Sequence, residues 1–190
     1  MAVFTKLNKE EIQEFLNIYK IGNLENYKEI LDGIENTNYK IFCDGIPYVL
    51  TIFEKRVKEE DLPFFMELKL YLNNNNFKCP QPIKNKEGRI INSIKNKSAV
   101  IITFIEGKKI DTPNISNCVE IGKMIGNLHN LTTKFNKKRK NSLDIQEWKS
   151  LFKKCEVKND KKFDPVLINL KKEIDFIEKS WPKNLPSGVV

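Results

Sequence analysis

The hydrophobic pattern of the chain changes after Glu106-Gly107, and this change limits the folds that the sequence can adopt. Before it, short β-branched and aromatic runs alternate with two helical patterns. After it, every apolar repeat has the three-to-four-residue spacing of a helix. The predicted order is helix, three strands, helix, two strands and then only helices. We therefore expect an α+β fold in which all strands lie before residue 107.

Five strand patterns and two helical patterns precede that change. Asn8 and Glu11 have the spacing of a capping box, and the apolar repeat after them predicts a helix over residues 9–20. Asp44-Gly45 lies between two apolar runs and is the strongest hairpin signal in the chain. A second helix begins near Asp61 and ends at the asparagine run of residues 73–76. The predicted strands are residues 27–30, 39–43, 48–53, 89–94 and 99–105.

Three helical patterns follow the change. The first covers residues 115–132, where Gly122 and Gly126 would let another element approach closely. The second covers residues 145–155. The third covers residues 165–180, with Asp164 as its predicted N-cap. We expect the first and third helices to face a core with Ile121, Ile125, Leu128, Thr132, Leu167, Leu170, Ile174 and Ile177.

The charge of the chain is strongly positive but is carried by lysine. There are 33 lysine and arginine residues against 25 aspartate and glutamate residues, a net charge of +8. Proteins that read nucleic-acid bases use arginine forks and aromatic platforms, and the chain has only Arg56, Arg89 and Arg139. We therefore expect no nucleic-acid partner. For the dense basic run of residues 134–140 we expect an exposed connector, with an anion-binding patch as the alternative.

No stretch is long and apolar enough to span a membrane, and residues 1–6 lack the features of a signal peptide. We expect a cytoplasmic location and no membrane partner. Cys43, Cys79, Cys118 and Cys155 are far apart and have no neighbouring histidine. We expect reduced, mostly buried thiols rather than a zinc site or a disulfide framework.

Six segments carry a resemblance to a known family. They are GIENTNY at 33–39, YVLTIFEKR at 48–56, DLPFF at 61–65, CPQPI at 79–83, TFIEG at 103–107 and Leu128-His129. Together with the order of elements, they resemble the bacterial homoserine kinases of the aminoglycoside phosphotransferase and choline kinase superfamily. The resemblance covers essentially the whole chain. It implies a protein-kinase-like fold, with a five-stranded, mostly antiparallel nucleotide-binding lobe in residues 1–106 and the start of an incomplete helical lobe in residues 107–190.

The resemblance also implies an activity. Such an enzyme uses ATP and Mg²⁺ to phosphorylate the hydroxyl of L-homoserine, giving O-phospho-L-homoserine for threonine biosynthesis. In that family the motif that begins at Trp181-Pro182 leads into a loop with the catalytic base and a magnesium ligand. The sequence stops before that loop, so we expect residues 1–190 alone to be inactive and assign no catalytic or metal-binding residue.

Two alternatives to this function remain open. Within the enzyme class, the protein could be another small-molecule kinase of the same superfamily, acting on choline, an aminoglycoside or a sugar. Outside it, a non-catalytic, lysine-rich RNA-binding protein is the alternative, with binding centred on residues 134–140.

A turn between two predicted strands is the candidate phosphate-binding element. Gly33 would allow close backbone approach to a phosphate, and the short side chains of Asn36, Thr37 and Asn38 would add hydrogen-bond donors. An ordinary strand-to-strand turn is the alternative.

The end of the last predicted strand is the candidate adenine-binding hinge. It consists of Thr103, Phe104, Ile105 and Glu106, whose backbone groups would bind adenine while Phe104 and Ile105 line its faces. The alternative is a simple strand end followed by a glycine turn at Gly107.

One position departs from the pattern of such kinases, which normally carry a lysine in the third strand and a partner glutamate in the next helix. Here the alternating strand positions are Val49, Thr51 and Phe53, and the corresponding helix position is Phe65. Thr51 and Lys55 complete the candidate nucleotide site. Lys55 would reach the phosphates, unless it is an exposed strand-end cation.

His129 is the only histidine, and it lies beside Leu128 on a helix that we expect to be buried. A general base must face a cleft, so we expect a structural role for His129. Trp148 and Trp181 are expected to anchor the core.

Overall fold

The computed structural model describes residues 3–54, 57–157 and 161–184. It contains two compact units, one ending at Lys137 and one beginning at Lys138. This packing division does not test the predicted lobe boundary at residue 106. The helices are α1 (Lys9–Leu16), α2 (Leu62–Asn74), α3 (Ile115–Thr132), α4 (Ile145–Val157) and α5 (Asp164–Ser180), and the strands are β1 (Leu24–Ile30), β2 (Asn36–Cys43), β3 (Ile46–Phe53), β4 (Asn92–Ile94) and β5 (Lys97–Thr103).

The five strands form one sheet in the order β1-β2-β3-β5-β4, and every neighbouring pair is antiparallel. Helix α2 connects β3 to the edge strand β4, so that β5 returns to lie between them. The predicted α+β class, the five strands and the helix between the third and fourth strands are confirmed.

Two-residue turns fix the register of both hairpins. Asp44 and Gly45 have φ angles of 46° and 77°, and they join Cys43 to its partner Ile46. Lys95 and Asn96, with φ of 48° and 59°, do the same between β4 and β5. Positive φ at both central residues matches the twist of the flanking strands, which is why short polar residues and glycine are favoured there.

The core lies on the face of the sheet that α1 covers. Strand β2 alternates strictly, with Thr37, Tyr39, Ile41 and Cys43 buried on this face. Helix α1 has the predicted capping box of Asn8 and Glu11. Its apolar side packs onto the sheet in a single cluster that includes Ile12, Phe15, Leu16, Leu50, Ile52, Ala99 and Ile101.

Several predicted boundaries move by a few residues. Helix α1 ends at Leu16 instead of residue 20, and β1 begins at Leu24. Strand β4 is only Asn92–Ile94, because residues before it form a separate turn in which the Asn85 side chain accepts hydrogen bonds from the amides of Glu87 and Arg89. The prediction that residues 36–38 belong to a turn is wrong, because β2 begins at Asn36.

Helices α2 and α3 meet through the C-terminal end of α3. The Tyr71 hydroxyl donates to the Leu131 carbonyl at 3.0 Å, and the Phe135 ring lies 5.2 Å from the Tyr71 ring and 5.7 Å from the Phe64 ring.

The predicted bounds of α3 are confirmed, but its predicted buried stripe is wrong. Among the predicted inward-facing residues of α3, only Thr132 is buried, Leu128 is half-buried and the others are exposed, as is His129.

The second unit contains α4 and α5, which pack through Phe152 and Ile174. Lys149 of α4 forms an ion pair with Glu178 of α5. The two tryptophan rings, Trp148 and Trp181, meet edge to face at 6.0 Å, and Trp181 is 45% exposed.

The structure also bears on the N-cap of α5, the burial of the cysteines and the length of apolar helices. Asp164 is the first residue of α5 and not its N-cap, which is Phe163. All four cysteines are free, but only Cys43 is buried, and Cys118 and Cys155 are exposed. In the described parts of the chain, no helix combines the length and the apolar character needed to cross a bilayer.

Candidate nucleotide-binding site

The face of the sheet opposite α1 carries a different set of side chains. In β2 the residues between the buried ones are half-buried, and the register pairs Asn38 with Thr51 and Lys40 with Val49. Val49 in turn pairs with Ile102 of β5. Directly paired residues share a face. We call this surface the polar face and define it by Asn36, Asn38, Lys40, Phe42, Val49, Thr51, Ile102 and Phe104.

Thr51 lies on the polar face of β3. Its hydroxyl donates to the amide oxygen of Asn38 at 2.8 Å, and the residue is 9% exposed. Among the described residues, the Asn38 amide nitrogen makes only a long bond of 3.5 Å to the Asn36 carbonyl. The bond to its oxygen thus orients the Asn38 amide, and its N–H donors are weakly hydrogen-bonded within the described chain.

Gly33 and Asn36 lie where the chain enters β2. Gly33 has a φ of 112°, a conformation that residues with a side chain rarely adopt, and there is open space around it. The Asn36 amide oxygen is buried and has no hydrogen-bond partner among the described residues. A buried polar atom without a partner is costly, which favours the approach of a donor at this edge of the polar face.

Thr37 does not belong to the polar face. It is fully buried on the opposite side of β2, where its hydroxyl oxygen accepts from the backbone amides of Phe4 at 2.9 Å and Thr5 at 3.0 Å. The same hydroxyl donates to Glu54 at 2.6 Å. Because all of its hydrogen-bonding capacity is used there, the expectation that the Thr37 side chain contacts a phosphate is corrected.

Glu54 is the centre of this buried group. Besides Thr37, its carboxylate accepts from the Thr5 hydroxyl at 2.7 Å and forms an ion pair with Lys97. Burial alone would raise the pKa of Glu54, but the hydrogen bonds from Lys97, Thr37 and Thr5, together with the Lys97 charge, lower it below its ordinary value. The group connects the N-terminal segment to β2, β3 and β5 behind the polar face.

The candidate hinge begins where β5 leaves the sheet. Thr103 is fixed by Gln81, since its amide donates to the Gln81 carbonyl at 2.8 Å and its hydroxyl accepts from the Gln81 amide at 2.9 Å. Phe104 to Gly107 lie beyond the strand, and among the described residues no turn or loop hydrogen bond is seen for the backbone groups of Ile105, Glu106 and Gly107. Backbone N–H and C=O groups without a partner can form hydrogen bonds with the edge of a nucleotide base.

Lys40 occupies the centre of the polar face. Its ammonium lies 3.6 Å from the centroid of the Phe104 ring and 5.1 Å from that of Phe42. No sequence motif indicated Lys40 or Glu54 as a site residue. The alternation of β2 could have placed Lys40 beside Asn38, whereas nothing local marks Glu54, whose partners lie far away in the sequence.

The residues named in place of a strand lysine and helix glutamate lie in β3 and α2. Thr51 lies in β3, and Phe65 lies half-buried in α2 with its ring 5.6 Å from that of Phe64. Lys55, the candidate phosphate cation, lies outside the described residues. Ile105 and Glu106 are exposed at the hinge.

Two other features of the first unit are less suited to a nucleotide. A groove of about 360 Å³ lies between α1 and the β4–β5 hairpin, but Glu11 and Glu14 line it, and carboxylates repel phosphate. Among the described residues, no group of three or more histidine, cysteine, aspartate or glutamate side chains is placed to hold a metal ion.

The fold resembles solved phosphotransferase structures. The crystal structure of spectinomycin phosphotransferase in complex with ADP and spectinomycin matches with a TM-score of 0.71 at 14% identity, over 96% of this chain and 60% of that chain. A microcompartment-associated aminopropanol kinase matches with a TM-score of 0.57 at 14% identity, over 72% of this chain and 45% of that chain. The molecule therefore has the fold of kinase-like phosphotransferases.

The sequence comparison specifies the family. The pattern of the phosphotransferase enzyme family matches residues 26–190, and the chain belongs to this family. A homoserine kinase of Bartonella henselae is 37% identical over 100% of this chain and 60% of its own length. Homoserine kinases of Rhizobium etli and Parvibaculum lavamentivorans are 35% and 37% identical, each over 100% of this chain and 59% of its own length. The chain thus spans about 60% of the length of these curated relatives.

Proposed function

We propose that the protein containing this sequence is a homoserine kinase, which transfers the γ-phosphoryl group of ATP to the hydroxyl of L-homoserine. Membership of the phosphotransferase enzyme family supports the reaction class. Similarity to curated homoserine kinases along the whole chain supports the acceptor. The proposal includes Mg²⁺ as the companion of ATP and a cytoplasmic location, where ATP is made and used.

The single observation that carries the proposal is the composition of the polar face and hinge. Phosphoryl transfer requires the protein mainly to position the nucleotide and to place donors near its phosphates. The weakly engaged amide of Asn38 and the open turn at Gly33 supply donors and space at one end. The backbone groups of residues 105–107 supply donors and acceptors at the other. The ADP complex of spectinomycin phosphotransferase, which shares the fold, supports a nucleotide as a ligand of this fold.

We divide the candidate residues by the part of the nucleotide that they serve. Gly33, Asn36, Asn38 and Thr51 would contact or orient the phosphates, with Lys55 as an additional cation. Phe104, Ile105 and Glu106 would hold the base, and Thr103 would fix the hinge through Gln81. In this proposal residues 1–106 are the nucleotide-binding lobe and residues 107–190 belong to the helical lobe. Magnesium would neutralise phosphate charge when bound.

The test is a panel of acceptors offered to the protein at its native length. ADP release would be measured with ATP, Mg²⁺ and, in turn, L-homoserine, L-serine, choline, an aminoglycoside and a hexose. We expect L-homoserine to give by far the highest kcat/KM. The proposal fails if another acceptor exceeds L-homoserine, or if no acceptor raises ADP release above the rate without acceptor.

A second candidate is another small-molecule kinase. The two structural neighbours are named for spectinomycin and aminopropanol, and at 14% identity they share the fold alone. The same panel separates this candidate from a homoserine kinase.

The RNA-binding alternative has less support from the structure. Of the basic residues in 134–140, Lys137 pairs with Glu67 at 3.3 Å and Lys140 pairs with Glu147 at 2.6 Å. Neutralising pairs reduce the charge available to a phosphate backbone. We include no nucleic-acid partner in the proposal.

A further inference from the structure

The position of the Lys40 side chain is unusual for a charged group on a sheet. The backbone of Lys40 lies in β2. The ring that its ammonium contacts belongs to Phe104, just beyond the end of β5. Strand β3 lies between β2 and β5. Because neighbouring strands are about 4.8 Å apart, the Lys40 stem and the Phe104 ring together span the width of β3 on the face that carries Val49.

This path covers the surface on which a nucleotide base would rest. Val49, Ile102 and Phe104 are the half-buried apolar residues of the polar face next to the hinge. A base that takes hydrogen bonds from the backbone groups of residues 105–107 has to pack its face on these side chains. The stem and ammonium of Lys40 lie on the same surface.

The contact between Lys40 and Phe104 also competes directly with base stacking. A cation over an aromatic ring is attracted by the negative face of the ring, and a purine stacks on that same face. One face of the Phe104 ring can hold only one of these partners at a time. The cross-strand neighbour of Lys40 on β1 is Lys28, so a like charge faces Lys40 on the side away from the ring.

We propose that Lys40 occludes the base-binding slot when no nucleotide is bound, and that a purine must displace the Lys40 ammonium from the Phe104 ring in order to enter. This inference rests on the proposed function, because it requires the hinge to bind a nucleotide base. Lys40 is then a residue that sets the affinity for the base. It acts by competition and not by contact with the reacting phosphate.

The experiment measures Kd values for adenosine and for ADP with Mg²⁺ by calorimetry, using the full chain. Adenosine reports on the base slot alone, because it has no phosphate. The variants are Lys40→Met, which removes the charge but keeps a linear stem, and Lys40→Arg, which keeps a cation that stacks on rings. Lys28→Met is the matched control, because it removes a neighbouring exposed lysine for which no ring contact is seen in the described chain.

We expect Lys40→Met to bind adenosine about two- to fivefold more tightly than the unmodified chain, the range that corresponds to a partly exposed cation–ring contact. Lys40→Arg and Lys28→Met should bind adenosine as the unmodified chain does. If the unmodified chain binds ADP but Lys40→Met binds adenosine no better, the occlusion is wrong and nucleotide binding stands. If Lys40→Met weakens ADP binding alone, Lys40 is a phosphate ligand and the occlusion is also wrong. If no form binds adenosine or ADP, the nucleotide site itself is refuted.

A second measurement uses only the unmodified chain, so it does not depend on the folding of a variant. In the unmodified chain the ε-methylene protons of Lys40 should resonate upfield of other lysines, because of the ring current of Phe104. Adenosine should move them towards the ordinary lysine position. An upfield position that persists at saturating adenosine would show that the base enters without displacing Lys40.

Discussion

The hydroxyl of Thr51 donates a hydrogen bond of 2.8 Å to the amide oxygen of Asn38, across the ladder that joins β2 and β3. This bond orients an amide whose nitrogen, among the described residues, makes one long bond to the Asn36 carbonyl. At this position the polar face therefore carries an oriented, uncharged donor.

Thr51→Val tests that role with almost no change in shape. Valine suits a strand, so we expect the free energy of unfolding to fall by no more than about 1 kcal/mol. The Asn38 amide would lose its orienting bond, and we expect the Kd for ADP with Mg²⁺ to rise several-fold. Thr51→Ser, which keeps the hydroxyl, should retain most of the affinity. Equal ADP binding by the valine and serine variants would refute the role.

The buried group around Glu54 predicts a loss of stability that does not depend on nucleotide. The Glu54 side chain is 6% exposed, whereas that of Lys97 is 38% exposed and can be hydrated when its partner is neutral. Glu54→Gln should therefore lower the free energy of unfolding by about 1–3 kcal/mol, measured by urea denaturation at pH 7. Glu60→Gln is the control, because its pair with Lys58 is 74% exposed on both sides and contributes little.

The same carboxylate predicts a dependence of stability on pH. The pKa of Glu54 in the folded state is below its ordinary value, so the unfolded chain binds the proton more readily. The stabilisation is complete above the ordinary pKa of about 4.5 and is lost as the pH falls through the lower, folded pKa. Between pH 6 and pH 3, the unmodified chain should lose urea resistance more steeply than Glu54→Gln. Parallel losses in both chains would show that Glu54 does not titrate with a lowered pKa.

Gly22 and Asp44 predict a specific steric conflict. Gly22 has a φ of 89°, and a Cβ atom there would lie 2.2 Å from Oδ2 of Asp44. The other carboxylate oxygen, Oδ1, accepts from the Asn23 amide at 3.1 Å. Gly22→Ala should cost more than the roughly 1 kcal/mol expected for a positive φ alone. Gly33→Ala is the matched control, since its φ is 112° but open space surrounds it.

The combination of Gly22→Ala with Asp44→Ala completes this test. If the clash with the carboxylate is real, the second substitution should reduce the cost of the first to about that of Gly33→Ala, measured by denaturation midpoints. Strictly additive losses would show that the two residues do not interact.

Tyr39 predicts how firmly the N-terminal segment is held. Its buried hydroxyl donates to the Thr5 carbonyl and accepts from the Leu7 amide, both at 2.9 Å. Tyr39→Phe leaves the Leu7 amide without that partner, and we expect a loss of about 1–3 kcal/mol. Hydrogen exchange should show faster exchange at Leu7 than in the unmodified chain. Unchanged protection at Leu7 would contradict the assignment of this bond.

Local signals in the sequence were sufficient for much of the fold. The Asp44-Gly45 turn, the capping box of α1 and both ends of α3 follow from residues within a few positions of each other. Boundaries moved where tertiary contacts compete with local preference. Strand β2 starts earlier than its apolar run, because Thr37 is buried by contacts with residues 4, 5 and 54.

The candidate site was only partly predictable for the same reason. The candidate hinge follows from a strand end with a glycine after it, and β5 ends at Thr103, immediately before Phe104. The contact of Lys40 with Phe104 joins residues 64 positions apart, and no local pattern could indicate it. The exposed face of α3 was predicted as buried because apolar spacing shows which side of a helix is apolar, not what covers it.

The most direct test of the central claim, that the polar face binds the phosphoryl donor, is an amide NMR titration of the full chain with ADP and Mg²⁺. We predict saturable shifts at Asn36, Asn38, Thr51 and residues 104–106, with the amides of α1 unchanged. Shifts confined to the groove lined by Glu11, Glu14 and Lys95, or no shifts at millimolar ADP, would contradict the claim.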